Sequence, residues 1–262
     1  MTNHISLSKL SKDGVSVEFL IQFATENEEW LAGKSTADVV GWIKERTKDA
    51  HCSYAEVLKR QGRGKEVSRA TAFGSHAWNG LFLGLVDAAE QYQLSTGELE
   101  YIWIDIFVVP QNIEDQEKGE NVWFDGFEDN LRSIGRALVV LNSWDDPIYL
   151  TRSWCLFELF VIISLNLPYQ IVLPREQKKA FLDFLTSGGD IADMFAKVDI
   201  ARATAFKQAD QDKINALVVS TFGGHGRLNE AVLLSLREWL VEAALEATAR
   251  SGPASAVRLH TA

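Results

Sequence analysis

Glu158 is the residue whose surroundings least explain it. It is the lone carboxylate in the run Thr151-Arg-Ser-Trp-Cys-Leu-Phe-Glu-Leu-Phe-Val-Ile-Ile-Ser164, which is otherwise almost wholly apolar. Burying a carboxylate is costly unless it has partners or a chemical task. The run follows the β-rich stretch Ala137-Leu-Val-Val-Leu141 and a Trp-Asp-Asp-Pro loop. Glu158 therefore falls near the start of a helix just past the carboxyl end of a strand, where open α/β sheets keep their ligands. The alternative is a structural helix residue bonded to backbone amides.

Other polar side chains gather at equivalent places. Ser75, His76 and Trp78 follow the stretch Arg69–His76, and Asp105 follows Tyr101-Ile-Trp-Ile104. His76 can bond phosphate or ribose, and Ser75 beside it is a candidate for the same site. Trp78 can stack on a base or anchor the helix that begins near Gly80. Asp105 either contacts a ligand at the carboxyl edge of the sheet or caps the next loop. Arg152 and Trp154 flank the start of the Glu158 helix. Arg152 either meets a diphosphate or pairs with Asp145 or Asp146. Asp145-Asp146-Pro147 reads as turn chemistry rather than a metal site. Cys155 reads as a packed thiol. Phe222-Gly-Gly-His-Gly-Arg-Leu-Asn229 lacks the Lys-Ser/Thr ending of a phosphate loop and reads as a turn between helices. The basic cluster at 59–65 reads as a solvated loop.

These residues need elements to hold them. Val17 to Phe23 reads as a short strand or helix. Helical patterns run from Ser35 to about Thr47 and from about Ser53 to Gln61. From residue 69 the pattern alternates. Strands are predicted at 69–76, 101–109, 137–141, 170–173 and 197–200. Helices are predicted at 81–93, 123–134, 153–165, 175–185, 210–221 and 228–248. Residues 111–121 read as a polar loop. This βαβ succession of near-continuous apolar strands predicts an α/β fold with a parallel sheet of five strands and helices on both faces. Three parts are expected: an N-terminal helical extension over 1–67, an α/β domain over 68–248, and a flexible tail over 249–262.

Composition narrows the classes. The chain has 262 residues, 47% of them hydrophobic, enough for a sizeable core, and its formal net charge of -10 argues against nucleic acid or anionic membranes as partners. Two cysteines without metal-ligand spacing argue against a disulfide framework or a zinc site. No apolar stretch is long enough to span a bilayer. The expected location is cytoplasmic.

Phe73-Gly-Ser-His76, Ala137-Leu-Val-Val-Leu-Asn-Ser143 and Ser153-Trp-Cys-Leu-Phe-Glu-Leu159 resemble the three sequence boxes of Toll/interleukin-1 receptor (TIR) domains. A closer likeness, over about 36 to 245, is to a divergent TIR-like module of algae and other protists. That module often precedes tetratricopeptide repeats of kinesin-light-chain type, and no repeats follow here. Tyr101-Ile-Trp-Ile-Asp105 is also similar to fungal heterokaryon-incompatibility domains. The resemblance implies a flavodoxin-like sheet of order 2-1-3-4-5 and a signalling or defence module that cleaves the nicotinamide–ribose bond of NAD. It implies Glu158 as the catalytic carboxylate and NAD as substrate, with no metal or other cofactor. Ser75, His76, Trp78, Asp105, Arg152 and Trp154 become candidate substrate contacts, and the loop from Pro110 to Asn121 a lid. A homo-oligomer on activation is implied as well. The chain departs from the family pattern at Ile106-Phe-Val-Val-Pro110, where contacts cannot be carried over. Two rival readings stand beside this one. One is a non-catalytic TIR-like module for self-assembly or partner recruitment. The other is a nucleoside hydrolase or deoxyribosyltransferase-like enzyme.

Overall fold

The computed structural model describes residues 10–112, 122–220 and 223–251. The sheet has six strands: β1 (Asp13–Ser16), β2 (Val67–Arg69), β3 (Ala72–His76), β4 (Tyr101–Trp103), β5 (Ala137–Val140) and β6 (Tyr169–Val172). Their order is β2-β1-β4-β3-β5-β6. Strand β3 pairs in parallel with β4 and with β5, with Phe73 opposite Trp103 on one side and Ala137 on the other. The β5–β6 contact advances in step, Ala137 N–H donating to Pro168 O and Leu141 N–H to Val172 O, as parallel strands require.

The architecture is α/β with a mostly parallel sheet, compatible with a flavodoxin-like fold, but strand count and order differ from expectation. Two strands are additional. β1 lies between β2 and β4 and is antiparallel to both. The segment expected as a helical extension thus contributes a strand, at Asp13–Ser16, to the sheet. β1 and β2 have four and three residues, too short to carry a readable alternation. The strand expected at 197–200 does not form. Its backbone bonds locally instead: Val198 N–H reaches Phe195 O, Arg202 and Ala203 N–H both reach Asp199 O, and the Asp199 carboxylate accepts from Ala201 N–H. Such an Asx turn competes directly with a sheet ladder.

The helices are α1 (Val17–Glu26), α2 (Glu28–Leu31), α3 (Thr36–Thr47), α4 (Tyr54–Arg60), α5 (Phe82–Thr96), α6 (Asp105–Val108), α7 (Val122–Ile134), α8 (Ser153–Ser164), α9 (Arg175–Thr186), α10 (Ala192–Phe195), α11 (Gln208–Ser220) and α12 (His225–Ser251). Two short 3-10 turns, Gly64–Glu66 and Ile148–Thr151, complete the set. Ser35 starts α3 with a reciprocal cap: its hydroxyl accepts from Asp38 N–H, and the Asp38 carboxylate accepts from Ser35 N–H. Gly97 ends α5 at φ 69°, a left-handed position that favours glycine.

The chain divides into two compact units, Met1–Val140 with Val161–Gln170, and Leu141–Phe160 with Ile171–Ala262. In the first, Phe73 stacks on Trp103 at 5.0 Å and meets the edge of Phe127 at 5.5 Å. A second aromatic group joins α1 to α5 and α6, with Phe19 on Phe107 at 5.5 Å and Phe23 on Phe82 at 5.6 Å. In the second unit Phe181 of α9 stacks on Trp239 of α12 at 4.9 Å, and Trp144 packs on Phe184 at 4.5 Å. Among the described residues no helix is long and apolar enough to cross a membrane.

Candidate functional site

At the carboxyl edge of the first unit the carboxylate of Asp105 collects its neighbours. Oδ2 accepts the indole N–H of Trp78 at 2.8 Å, and Oδ1 accepts the backbone N–H of Ile106 at 2.8 Å. His76 Nε2 stands 3.8 Å from Oδ1. The other ring nitrogen of His76, Nδ1, lies 3.3 Å from the carbonyl oxygen of Gly74. The ring of His76 thus stands between two acceptors, the Gly74 carbonyl and the Asp105 carboxylate.

Local backbone explains why these three side chains meet. β3 and β4 run closely side by side, with Phe73 opposite Trp103, and β3 continues to His76 past the end of β4. Gly74 makes this possible, because a Cβ there would meet Ile102 Cγ2 at 2.8 Å and Trp103 O at 3.2 Å. β4 then stops at Trp103, and Asp105 opens the short helix α6 instead of continuing the strand. The apolar run to Val109 was expected to be strand. Ile106, Phe107 and Val108 are buried on every side, so their pattern carries no period that separates strand from helix.

Trp78 has a second role. Its carbonyl accepts from Ala37 N–H at 2.9 Å and that of Gly80 accepts from Thr36 N–H at 3.0 Å, so the turn after β3 satisfies amides at the start of α3. Ser75 is 1% exposed, inside the strand. Asp105 retains an exposed side-chain fraction of 22%.

The amino end of the same strands holds a different cluster. Glu100 is 0% exposed. Arg136 Nη2 donates to both its carboxylate oxygens at 2.9 and 3.0 Å, and the Thr71 hydroxyl donates to Oε2. Arg136 Nε donates to Thr71 O at 2.7 Å. This buried charge is fully engaged and serves the fold. Reading the sequence missed it. Each member sits one residue before a strand, and only the sheet brings them together.

In the second unit the residues around the start of α8 are tied to the segment 204–211. The Ser153 hydroxyl donates to Gln211 Oε1 at 2.7 Å, and the same oxygen accepts from Ala205 N–H at 2.8 Å. Trp154 Nε1 donates to Asp210 Oδ2 at 3.2 Å. Arg152 reaches Thr204 Oγ1 at 3.3 Å and lies 4.2 Å over the ring of Phe206. Burial lowers the Arg152 guanidinium below its usual range. The aspartates considered as partners for Arg152 have others: Asp146 pairs with Lys197 at 2.5 Å, and Asp145 accepts from the Ser143 hydroxyl, which holds its carboxyl below the usual range.

Glu158 lies one turn further along α8. Cys155, Leu156 and Phe157 before it and Leu159 to Ile162 after it are buried, whereas Glu158 is half-buried. The helix thus presents its single carboxylate at a partly open position, one turn after half-buried Trp154 and between enclosed neighbours. Cys155 is buried, with its carbonyl accepting from the Tyr149 hydroxyl at 2.9 Å. The structure therefore joins His76, Trp78 and Asp105 in one unit, and Arg152 and Trp154 with 204–211 in the other. The expected lid lies mostly at 113–121, outside the described residues, as does most of the tail, at 252–262.

No protein-family model, curated protein or solved structure matches the chain.

Proposed function

We propose that the chain is a TIR-like signalling or defence domain that hydrolyses the nicotinamide–ribose bond of NAD, with Glu158 as its catalytic carboxylate. One observation carries the reading: α8 holds a single carboxylate, and that carboxylate is half-buried while its neighbours along the helix are enclosed. A carboxylate there is shielded enough for strong electrostatics and open enough to meet a ligand.

The chemistry asks little else of the protein. Nicotinamide is a good leaving group, and cleavage passes through an oxocarbenium-like ribose. A carboxylate beside that ribose stabilises the positive charge or orients the ribose hydroxyls until water adds. The assignment of Ser75, His76, Trp78, Asp105, Arg152 and Trp154 to substrate contact rests on the resemblance. Arg152 and Trp154 already have protein partners, and Ser75 is enclosed in β3.

A second reading has its own support. Ser153 and Trp154, the residues that open the Glu158 box, spend their hydrogen bonds on Gln211 and Asp210. That is what a box kept for folding requires, and it favours a non-catalytic interaction module. Incubating the pure protein at high concentration with NAD and following nicotinamide release separates the two. Release abolished in Glu158→Gln supports the enzyme. No release at any protein concentration supports the interaction module.

A further inference from the structure

The long helix α12 has two unlike faces. One packs into the second unit: Leu228, Val232 and Leu236 are buried, Trp239 stacks on Phe181, and Glu246 pairs with Lys178 of α9 at 2.8 Å. On the other, Leu234, Val241 and Leu245 are 50%, 59% and 67% exposed. Spacings of seven and four residues set these three in one stripe along the helix. Exposed aliphatics scattered singly are ordinary, but three aligned on one helix face form a contact surface.

The charges beside the stripe say what fits it. With Leu234 and Val241 at d and Leu245 at a of a heptad, Arg237 falls at g and Glu242 at e. Both are exposed, and neither makes an ion pair among the described residues. In a parallel pair of helices, g of one lies beside the e five residues on in its partner, and such pairs set partner and orientation. Arg237 of each copy then meets Glu242 of the other, twice by symmetry. An antiparallel pair sets g beside g instead. Arg237 there reaches a carboxylate, Glu230, only in a register that puts Val241 opposite Gly226 and Leu245 beyond the start of the helix.

The geometry points to a parallel two-stranded contact between the α12 helices of two copies of this chain. Leu234, Val241 and Leu245 form its seam and the Arg237–Glu242 pairs flank it. Glu238 falls at the remaining a position, where its two copies face each other, and that repulsion weakens the contact. A seam on one helix also falls short of the roughly 1,200 Å² that a stable interface buries, so the dimer forms only at high local concentration. The surface is separate from Glu158 and independent of any NAD chemistry.

The test is sedimentation velocity on the full chain from about one micromolar to about one millimolar. A monomer–dimer equilibrium is expected, with dimer toward the upper end. Val241→Glu and Leu245→Glu should each weaken it by at least about tenfold while melting like the parent chain. Arg237→Glu and Glu242→Arg should each weaken it by about threefold, and the two together in one chain should restore it. Glu238→Leu should tighten it by at least about tenfold. Leu234→Cys should give a disulfide-linked dimer under mild oxidation, since a parallel seam sets the two copies of position 234 opposite each other and Cys52 and Cys155 are buried. Glu158→Gln should dimerise as the parent does. The proposal is overturned by a monomer at every concentration, by a dimer indifferent to both glutamate variants of the seam, or by a double charge swap that restores nothing. A monomeric parent whose Val241→Glu variant melts lower would likewise overturn it, with residues 252–262 of the same chain covering the stripe.

Discussion

The indole N–H of Trp78 donates to the carboxylate of Asp105 at 2.8 Å, joining the turn after β3 to the first residue of α6. The bond holds together two chain segments at the carboxyl edge of the sheet. Because the Trp78 carbonyl also accepts from Ala37 N–H, it indirectly steadies the start of α3.

Breaking this link from the carboxylate side should be selective. Asp105→Asn retains an acceptor for the indole and should melt close to the parent chain. Asp105→Ala removes the carboxylate that accepts from this part-buried indole N–H and should cost about 1–3 kcal/mol. Urea unfolding of the two variants decides it, and equal midpoints would show the bond to be worth nothing.

The cluster at the amino end predicts a larger effect. Glu100 is 0% exposed and held by Arg136. Arg136→Ala leaves a buried carboxylate without its cation and should cost about 3–5 kcal/mol. The paired change Glu100→Gln with Arg136→Met should cost clearly less, because no lone charge stays behind.

Gly74 lets β3 approach β4. In Gly74→Ala the new methyl meets the Ile102 side chain and the Trp103 carbonyl. The flexible side chain can yield and the backbone cannot, so destabilisation of about 1–3 kcal/mol is expected. Chemical denaturation measures it, and a neutral outcome would mean the strands separate more freely than their register suggests.

The α3 cap predicts a titration. Hydrogen bonds from the Ser35 hydroxyl and backbone hold the Asp38 carboxyl below its ordinary value of 3.8. The folded state thus favours the charged form. The cap's contribution is fully present above pH of about 4, and it fades as pH falls through the lowered folded value. Carboxyl-carbon NMR should place the Asp38 midpoint below 3.8, and Ser35→Ala should move it upward.

Glu158→Gln separates turnover from stability. Glutamine nearly preserves volume and hydrogen bonding, so the melting temperature should hold. Loss of the charge should slow nicotinamide release by about a hundredfold or more. A lower melting temperature with unchanged turnover per folded molecule would make Glu158 a structural residue. The resemblance also implies that specific activity climbs with protein concentration. Flat specific activity across a dilution series that stays monomeric by light scattering would remove assembly from the account.

The sequence by itself determined the layered α/β alternation. Strand-like runs at 69–76, 101–109, 137–141 and 170–173 alternate with helical patterns, and such strands call for helices on the faces of a parallel sheet. It also singled out Glu158, because a carboxylate in an apolar helix is visible from composition alone. Tertiary structure decided what short or uniformly buried segments cannot announce. β1 is four residues long and is a strand only because β2 and β4 supply partners on either side. Residues 106–109 are apolar and buried throughout, so the place where β4 ends and α6 begins was set by packing and by Asp105 bonding Trp78 and Ile106. Residues 197–200 have strand-like composition, yet Asp199 draws the backbone into a turn. The pairing of Glu100 with Arg136, 36 residues apart, exists only because parallel strands start side by side. Local pattern records which surfaces must be buried. It does not record which distant backbone will cover them, and that choice places the charged side chains.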